Sequence, residues 1–195
     1  MGLLRKFFSN TGKPEGTMGK VVVAMMNRGH AGIAAWGFSH LQLRGDERVL
    51  DCGCGGGANI AVFLERLPEG HVTGLDYSPV SVEKARKVNR AAIEAGRCEI
   101  VQGNVLELPF ENAQFDVVTA FETIYFWKEI SRCFAQMHRV LKSGGVFMIT
   151  NETSGKTGAH EKWVKIVDGM SVYTGEELER VHAIAKKQKI CHIIG

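Results

Sequence analysis

The sequence predicts an α/β protein built on an open, mostly parallel sheet with helices on both faces. Three observations carry this. Short apolar runs of strand length alternate with segments of helical spacing from about residue 48 to residue 150. The first run, Val49-Leu50-Asp51, passes into four glycines within five residues (Gly53, Gly55, Gly56, Gly57) and then into helical spacing from Ala58 to Leu67. Asp76 ends the next apolar run, about 20 residues past the glycines. A strand that enters a glycine-rich turn and then a helix lets bare main chain approach a ligand at the helix N-terminus. In an open parallel sheet, that is the place for a nucleotide-type cofactor.

Composition sets the outer bounds. A chain of 195 residues with 45% apolar side chains is expected to form one structural domain with a real core. Within it we expect an N-terminal arm and helical cap over residues 1–43 and the α/β domain over residues 44–195. The net charge of +3 is small and its positive residues are scattered, which argues against nucleic acid or an anionic membrane as partner. The five cysteines have no zinc spacing, and Cys52-x-Cys54 lies inside the glycine turn, where packing accounts for it. No metal is expected. Free thiols suit a reducing cytosol. Leu3-Leu4 runs at once into Arg5-Lys6, unlike a signal peptide, and Lys6 stands where myristoylation wants Ser or Thr. No apolar run approaches the ~20 residues of a membrane span. The expectation is a cytoplasmic protein.

Taken in order, residues 1–17 mix charge with Gly12, Pro14 and Gly16 and read as an irregular arm. Met18 to Asn27 is a mostly apolar helix candidate. A second runs from about His30 to Leu43, with Ile33, Trp36 and Leu41 near one face, and Gly29 and Gly32 mark the break between them. Asn27 and His30 at that break either face a pocket or cap helix ends. His71 to Asp76 is the second strand. Ser78-Pro79 opens the next helix, Ser as cap and Pro in the first turn. Val82, Ala85, Val88 and Ala92 form its inner stripe and Gly96 stops it. Cys98 to Gln102 and Phe115 to Ala120 are the third and fourth strands. Ile130, Cys133, Phe134, Met137, Val140 and Leu141 make a helical stripe that Gly144-Gly145 ends, and Val146 to Thr150 is the fifth strand. A short amphipathic helix is expected around Trp163 to Val167. Thr174 and Glu177 form a capping box for a last helix with Leu178, Val181 and Ile184 inward.

The choice of cofactor turns on one carboxylate. Gly53, Gly55 and Ala58 fit the dinucleotide spacing G-x-G-x-x-G/A, so a nicotinamide enzyme is a competing reading. Asp51, however, is expected to aim its charge into the turn where a pyrophosphate would lie. At about 4 Å and an effective dielectric of roughly 20, two such charges repel by about 4 kcal/mol. A ligand carrying an ammonium and a sulfonium is attracted instead. Asp76 suits the ribose of either cofactor, its carboxylate accepting both hydroxyls.

Val49-Leu50-Asp51-Cys52-Gly53-Cys54-Gly55-Gly56-Gly57 resembles the first motif of the class I S-adenosylmethionine-dependent methyltransferases. Gly74-Leu75-Asp76-Tyr77-Ser78 resembles that family's acidic ribose-binding strand end, and Gly103-Asn104-Val105-Leu106-Glu107-Leu108-Pro109-Phe110 its adenine-binding segment. Phe115-Asp116-Val117-Val118 resembles its fourth strand, and His138-Arg139-Val140-Leu141-Lys142-Ser143-Gly144-Gly145 the turn before its fifth. The resemblance covers roughly residues 48 to 150. It implies a Rossmann-like fold, S-adenosylmethionine as cofactor, and contacts to it from Asp51, Gly53, Cys54, Gly55, Gly57, Asn59, Asp76, Tyr77, Asn104, Val105, Phe121 and Phe126. Asn104 stands where the family often has aspartate; its amide oxygen offers an acceptor to the adenine amino group without charge assistance. An asparagine serving only the turn is the other reading.

Phe121-Glu122-Thr123-Ile124-Tyr125-Phe126-Trp127 after the fourth strand lies where the resemblance puts the substrate, and its aromatic faces also suit a sulfonium. His30, Glu122, Tyr125 and Glu152 are the candidates for a general base, if the methyl acceptor must lose a proton. The segment lacks the Asp/Asn-Pro-Pro-aromatic signature of enzymes that methylate nucleobase amines, and no Pro-Cys follows the strand as in cytosine ring-carbon enzymes. The expected substrate is a small, largely apolar molecule. The alternative is a methyltransferase-like module that holds the cofactor and acts through a partner. After the last helix only Lys189 to Gly195 remains, enough for one short strand. A sheet of five or six strands instead of the family's seven is therefore expected, with an uncovered edge through which a homodimer could form.

Overall fold

The computed structural model describes residues 31–153, 155, 164–165, 167, 169–185 and 189–194. Asn27, His30, the helix expected over Met18 to Asn27, and Trp163 lie outside the described residues. Helix α1 (Ala31–Ser39) precedes strand β1 (Arg48–Cys52), helix α2 (Ala58–Arg66) and strand β2 (His71–Asp76). Two short helices, α3 (Pro79–Val88) and α4 (Arg90–Glu94), lead to β3 (Cys98–Gln102) and then β4 (Phe115–Phe121). A single 3₁₀ turn (Ile124–Phe126) is followed by α5 (Ile130–Val140), β5 (Leu141–Asn151), α6 (Gly175–Ala185) and β6 (Lys189–Ile194).

The strands form one six-stranded sheet in the order β3-β2-β1-β4-β5-β6, every neighbouring pair parallel. This is the open, Rossmann-like α/β sheet expected. Chain order reverses between β1 and β4, so their carboxyl ends flank a crevice.

Each strand feeds both faces because its side chains alternate. On one face Val49, Val72, Val117 and Met148 pack with Ala34 and Phe38 of α1, Ile60 and Phe63 of α2, and Val82 and Ala85 of α3. On the other, Leu50, Val118, Phe147 and Ile149 pack with Phe134 and Met137 of α5 and Leu178 of α6. Helix α1 is docked by aromatic contacts, with Phe38 4.7 Å from Phe63 and 5.0 Å from Phe121 between ring centroids. Gly37 lets it approach β5: a Cβ there would lie 2.7 Å from Thr150 Oγ1. Arg66 at the end of α2 donates to Phe38 O at 2.9 Å and sits over the Phe38 ring.

The local signals at helix starts behave as read. Ser78 Oγ accepts from Ser81 N at 3.3 Å. Thr174 and Glu177 exchange reciprocal bonds, Glu177 N to Thr174 Oγ1 at 3.2 Å and Thr174 N to Glu177 Oε2 at 2.8 Å.

Three helix expectations fail: the helix expected from about His30 to Leu43 ends at Ser39, leaving Leu41 outside it. The helix that begins at Pro79 does not run to Gly96 but breaks at Asn89. There the side-chain amide donates to both Ala85 O and Gly57 O at 3.0 Å, tying the helix to the glycine turn. The phase shift leaves Val88 44% exposed, so it leaves the inner stripe, while Asn89 is buried. Likewise α5 ends at Val140, not at the glycines, because Leu141 turns extended and pairs with Phe115. Gly144 (φ 76°) and Gly145 then sit in the irregular start of β5, where a Cβ on Gly145 would meet Asp116 O at 2.8 Å.

Gly57 is the tightest of these joints. Its φ is +78°, and a Cβ would fall 2.9 Å from Ala85 Cα and 2.5 Å from Asn89 Nδ2. Left-handed strain and overpacking together make Gly57→Ala destabilising by about 2–4 kcal/mol. The expected outcome is a melting midpoint roughly 5–15 °C lower by calorimetry or circular dichroism. An unchanged midpoint would show that the α2–α3 contact yields freely.

Candidate active site

A cavity of ≈ 580 Å³ opens at the carboxyl ends of β1, β2 and β4. Its floor is the glycine turn, with Gly53, Cys54, Gly55 and Gly56, and the first turns of α2, with Ala58, Asn59 and Val62. Asp76, Tyr77 and Ser81 line one end together with Gly103, Asn104, Val105 and Leu106. The other end is apolar and aromatic: Ile33, Ala34, Ala35 and Phe38 from α1, then Phe121, Phe126 and Trp127. Glu122, Thr123, Lys128 and Arg66 complete the wall.

The sheet positions each of these groups. Past the end of β1 the amides of Gly53 and Cys54 donate to Leu75 O of β2, and the next donors go to a carboxylate. Gly55 N–H donates to Asp76 Oδ2 and Ser78 N–H to Oδ1, both at 2.9 Å. Asp76 is almost buried, and burial raises its carboxyl above the ordinary range against the pull of those hydrogen bonds. The Ser81 side chain and the Tyr77 amide also donate to this carboxylate. Asn104 serves the turn and also lines the cavity: its Oδ1 accepts from Leu106 N at 3.0 Å.

Two of the residues expected at the cofactor are not in the cavity lining. Asp51 does not line the cavity. Its carboxyl is 1% exposed, lies behind the glycine turn and accepts from Thr119 Oγ1 at 2.8 Å. Burial pushes its pKa up to about 7, opposed by that bond and assisted by the nearby Asp76 charge. The strand pleat turns this side chain toward Thr119 of β4. Gly57 also lies outside the lining, against Ala85 and Asn89 of the α3 end.

Of the base candidates, Glu122 alone is both described and in the cavity wall. Its backbone is left-handed, φ +55°, and its N–H donates to Thr150 O at 2.8 Å. Its Oε1 accepts from Tyr125 Oη at 3.4 Å and from Glu152 N. Burial raises its pKa to about 7. Tyr125 is buried outside the lining, and burial beside Glu122 pushes its phenol well above the usual value. It is a donor held on Glu122, with Thr153 N donating to its oxygen at 3.2 Å. Glu152 touches Glu122 through its main chain; its own side chain is exposed and not in the wall.

Sequence reasoning missed Thr123, Val62, Arg66 and Lys128. Thr123 is the closest neighbour of the turn, since a Cβ on Gly53 would lie 2.1 Å from its Oγ1. The signal for α2 was present: Asn59, Val62 and Arg66 share one helical face. What the spacing does not tell is that the face looks into a cavity and not onto the sheet.

The fit to an adenosylated amino acid is good on this geometry. Bare main chain at Gly53–Gly56, an acceptor at Asp76 and a polar-to-apolar gradient lie within one cavity. A model of the family described as "Methyltransferase domain" matches residues 50–149. Among curated proteins, 24-methylenesterol C-methyltransferase 2 of Oryza sativa subsp. japonica is 31% identical over 144 residues, covering 74% of this chain and 35% of that protein. Demethylmenaquinone methyltransferase of Listeria welshimeri is 38% identical over 99 residues, 50% of this chain and 41% of that one. The chain thus spans only a third to two fifths of the length of these relatives. In fold it resembles a chain of a complex containing the Haloferax volcanii Trm112 methyltransferase activator (TM-score 0.75, 22% identity, 93% of this chain and 75% of that one). It also resembles geranyl diphosphate C-methyltransferase from Streptomyces coelicolor A3(2), solved with Mg2+, geranyl diphosphate and S-adenosyl-L-homocysteine (TM-score 0.69, 22% identity, 90% and 67%). No described helix is long and apolar enough to cross a membrane. With the glycine turn, the ribose carboxylate and strands β2 to β4 inside the matched span, the chain belongs to the class I S-adenosylmethionine-dependent methyltransferases.

Proposed function

We propose that the chain transfers a methyl group to a small, largely apolar molecule held against α1 and the Phe126–Trp127 segment, with Glu122 receiving the proton that the acceptor loses. The observation that carries this is a single cavity joining the glycine turn and Asp76 to an apolar wall with one buried carboxyl in it. The sterol, menaquinone and geranyl diphosphate enzymes among the relatives and structural neighbours support an apolar acceptor.

When bound, S-adenosylmethionine supplies a methyl already activated by positive sulfur. What remains for the chain is mostly placement. The main chain of Gly53–Gly56 and the first turn of α2 bind the amino-acid part, Asp76 holds the ribose, and Asn104–Leu106 flank the adenine. Phe38, Val62, Phe126 and Trp127 exclude water and orient the acceptor. Glu122 is held by Tyr125 and Glu152 N for an incoming proton, and a pKa of about 7 matches a base working near neutrality. Asp51, Asp76 and Glu122 together give the cavity a negative field that favours a cationic ligand over a diphosphate.

A second reading, a cofactor-holding module that works through a partner, draws support from the activator in the Haloferax complex. Calorimetry with S-adenosylhomocysteine, followed by transfer of labelled methyl from S-adenosylmethionine into an apolar metabolite extract, separates the two. Binding with label incorporated supports the enzyme; binding without it favours the module; no binding sinks both.

Three further outcomes are expected. Glu122→Gln lowers kcat by about 10²–10⁴-fold and removes the rise of kcat/KM with pH whose midpoint in wild type lies at about 7; a retained rise excludes Glu122 as the base. For Asp51, the folded carboxyl keeps its proton to about pH 7, whereas an unfolded one releases it near 4. Folding thus becomes less favourable as pH rises through that window. Asp51→Asn escapes this, so its melting midpoint gains on wild type between pH 4 and pH 8 while S-adenosylmethionine binds about tenfold more weakly. Equal affinity with parallel midpoint curves would remove Asp51 from the account. Finally, among the described residues the outer edges of β3 and β6 carry no paired strand, and we propose a homodimer through the β6 edge. Light scattering is expected to give the mass of two chains; one chain's mass overturns it.

A further inference from the structure

Outside the cavity, two histidines meet between the helices of the opposite face. His138 lies in the last turn of α5 and His182 in the last turn of α6. Nδ1 of His182 is 3.1 Å from Nε2 of His138, with ring centroids 5.0 Å apart and planes within 25°. Both rings are half-buried, so helix packing fixes them while solvent still reaches them. Neither lines the cavity, and nothing in the methyl-transfer mechanism uses them.

Two ring nitrogens facing each other at this distance hold either a hydrogen atom or a cation between them. A neutral imidazole carries one N–H, so the pair either shares a proton or turns two lone pairs on a common cation. A tetrahedral Zn2+ with Zn–N of 2.0–2.1 Å places its two nitrogens about 3.3 Å apart, within about 0.3 Å of what is found. Imidazole is a preferred ligand for borderline divalent ions. The surroundings favour positive charge, because the carbonyl ends of two helices meet here. Among the described residues, the cationic side chains nearby are engaged elsewhere: Arg139 on Leu108 O and Phe110 O, Lys142 on Asp116, Arg180 on Glu176. Among the described residues no third His, Cys, Asp or Glu joins the pair. Water is left to fill the other positions.

We propose that His138 and His182 bind one borderline divalent cation, such as Zn2+ or Cu2+, which staples α6 to α5. The staple acts on the core of that face, where Leu178 of α6 is fully buried and Phe134 and Met137 of α5 pack. It stands apart from the methyl-transfer reading, since neither ring is near the cofactor cavity.

The test uses untagged full-length protein stripped of metal. Zn2+ at a hundredfold excess over its dissociation constant is expected to raise the melting midpoint by about 5–10 °C, saturating at one ion per chain. His138→Gln and His182→Gln should each abolish the shift, and His40→Ala, a histidine bonded within α1 and its end, should keep it. Electron paramagnetic resonance of the Cu2+ form should show coupling to two imidazole nitrogens, lost in either Gln variant. No shift in wild type means a proton-sharing pair and overturns the proposal. So does a shift that survives both Gln variants. S-adenosylhomocysteine binding, measured in parallel, should be the same with and without Zn2+.

Discussion

Everything at the carboxyl end of this sheet depends on how three acidic groups are kept from water. Asp51, Asp76 and Glu122 end or follow β1, β2 and β4, and all three are nearly or fully buried. Desolvation is the largest influence on each and pushes its pKa upward. Donors already on the protein hold them: the Thr119 hydroxyl for Asp51, the Gly55 and Ser78 amides for Asp76, Tyr125 and the Glu152 amide for Glu122. That is too little to keep Asp51 or Glu122 fully ionised at neutral pH. Beside these acids the cavity wall carries two basic side chains, Arg66 and Lys128.

The same region needs unusually close main-chain approaches. Gly53 presses on Thr123 across the crevice and Gly57 on the Ala85–Asn89 end of α3, each at a distance no side chain allows. The two contacts act in different directions. The first sets how near a ligand comes to bare backbone between β1 and β4. The second fixes α2 against α3, and through Asn89 it also decides where α3 ends. One glycine run therefore shapes both the cavity floor and the helix layer beneath it.

Much of this was legible along the chain. His71–Asp76 and Cys98–Gln102 are strands at the residues the apolar runs mark, and the stripe Cys133, Phe134, Met137 and Val140 is buried as its spacing requires. Cavity walls at Gly53, Asp76, Asn104 and Phe126 followed from motif order. What the sequence could not supply was depth. Asp51 and Gly57 sit in the right motif but one layer behind the cavity, and a linear pattern does not distinguish the front of a turn from its back. Asn89 shows the converse: a polar residue breaks an apolar stripe because a carbonyl of the glycine turn, 32 residues earlier, waits for its amide. Local spacing has no access to a bond of that range.

Glu122 joins these strands of argument. A non-glycine residue at φ +55° is held there against about 1–2 kcal/mol of left-handed strain. An ordinary continuation of β4 would have sent its side chain into one of the two cores. The left-handed step instead lets the chain leave the sheet for the Ile124–Phe126 turn while the amide stays bonded to Thr150 O. It leaves the carboxyl in the cavity wall, with Tyr125 brought round three residues later to hold it. Strain, burial and a raised acid thus fall on one residue. Packing does not demand this residue, since glycine would relieve the strain and glutamine the raised acid. The role proposed for Glu122, a proton acceptor facing the ligand, accounts for all of them together.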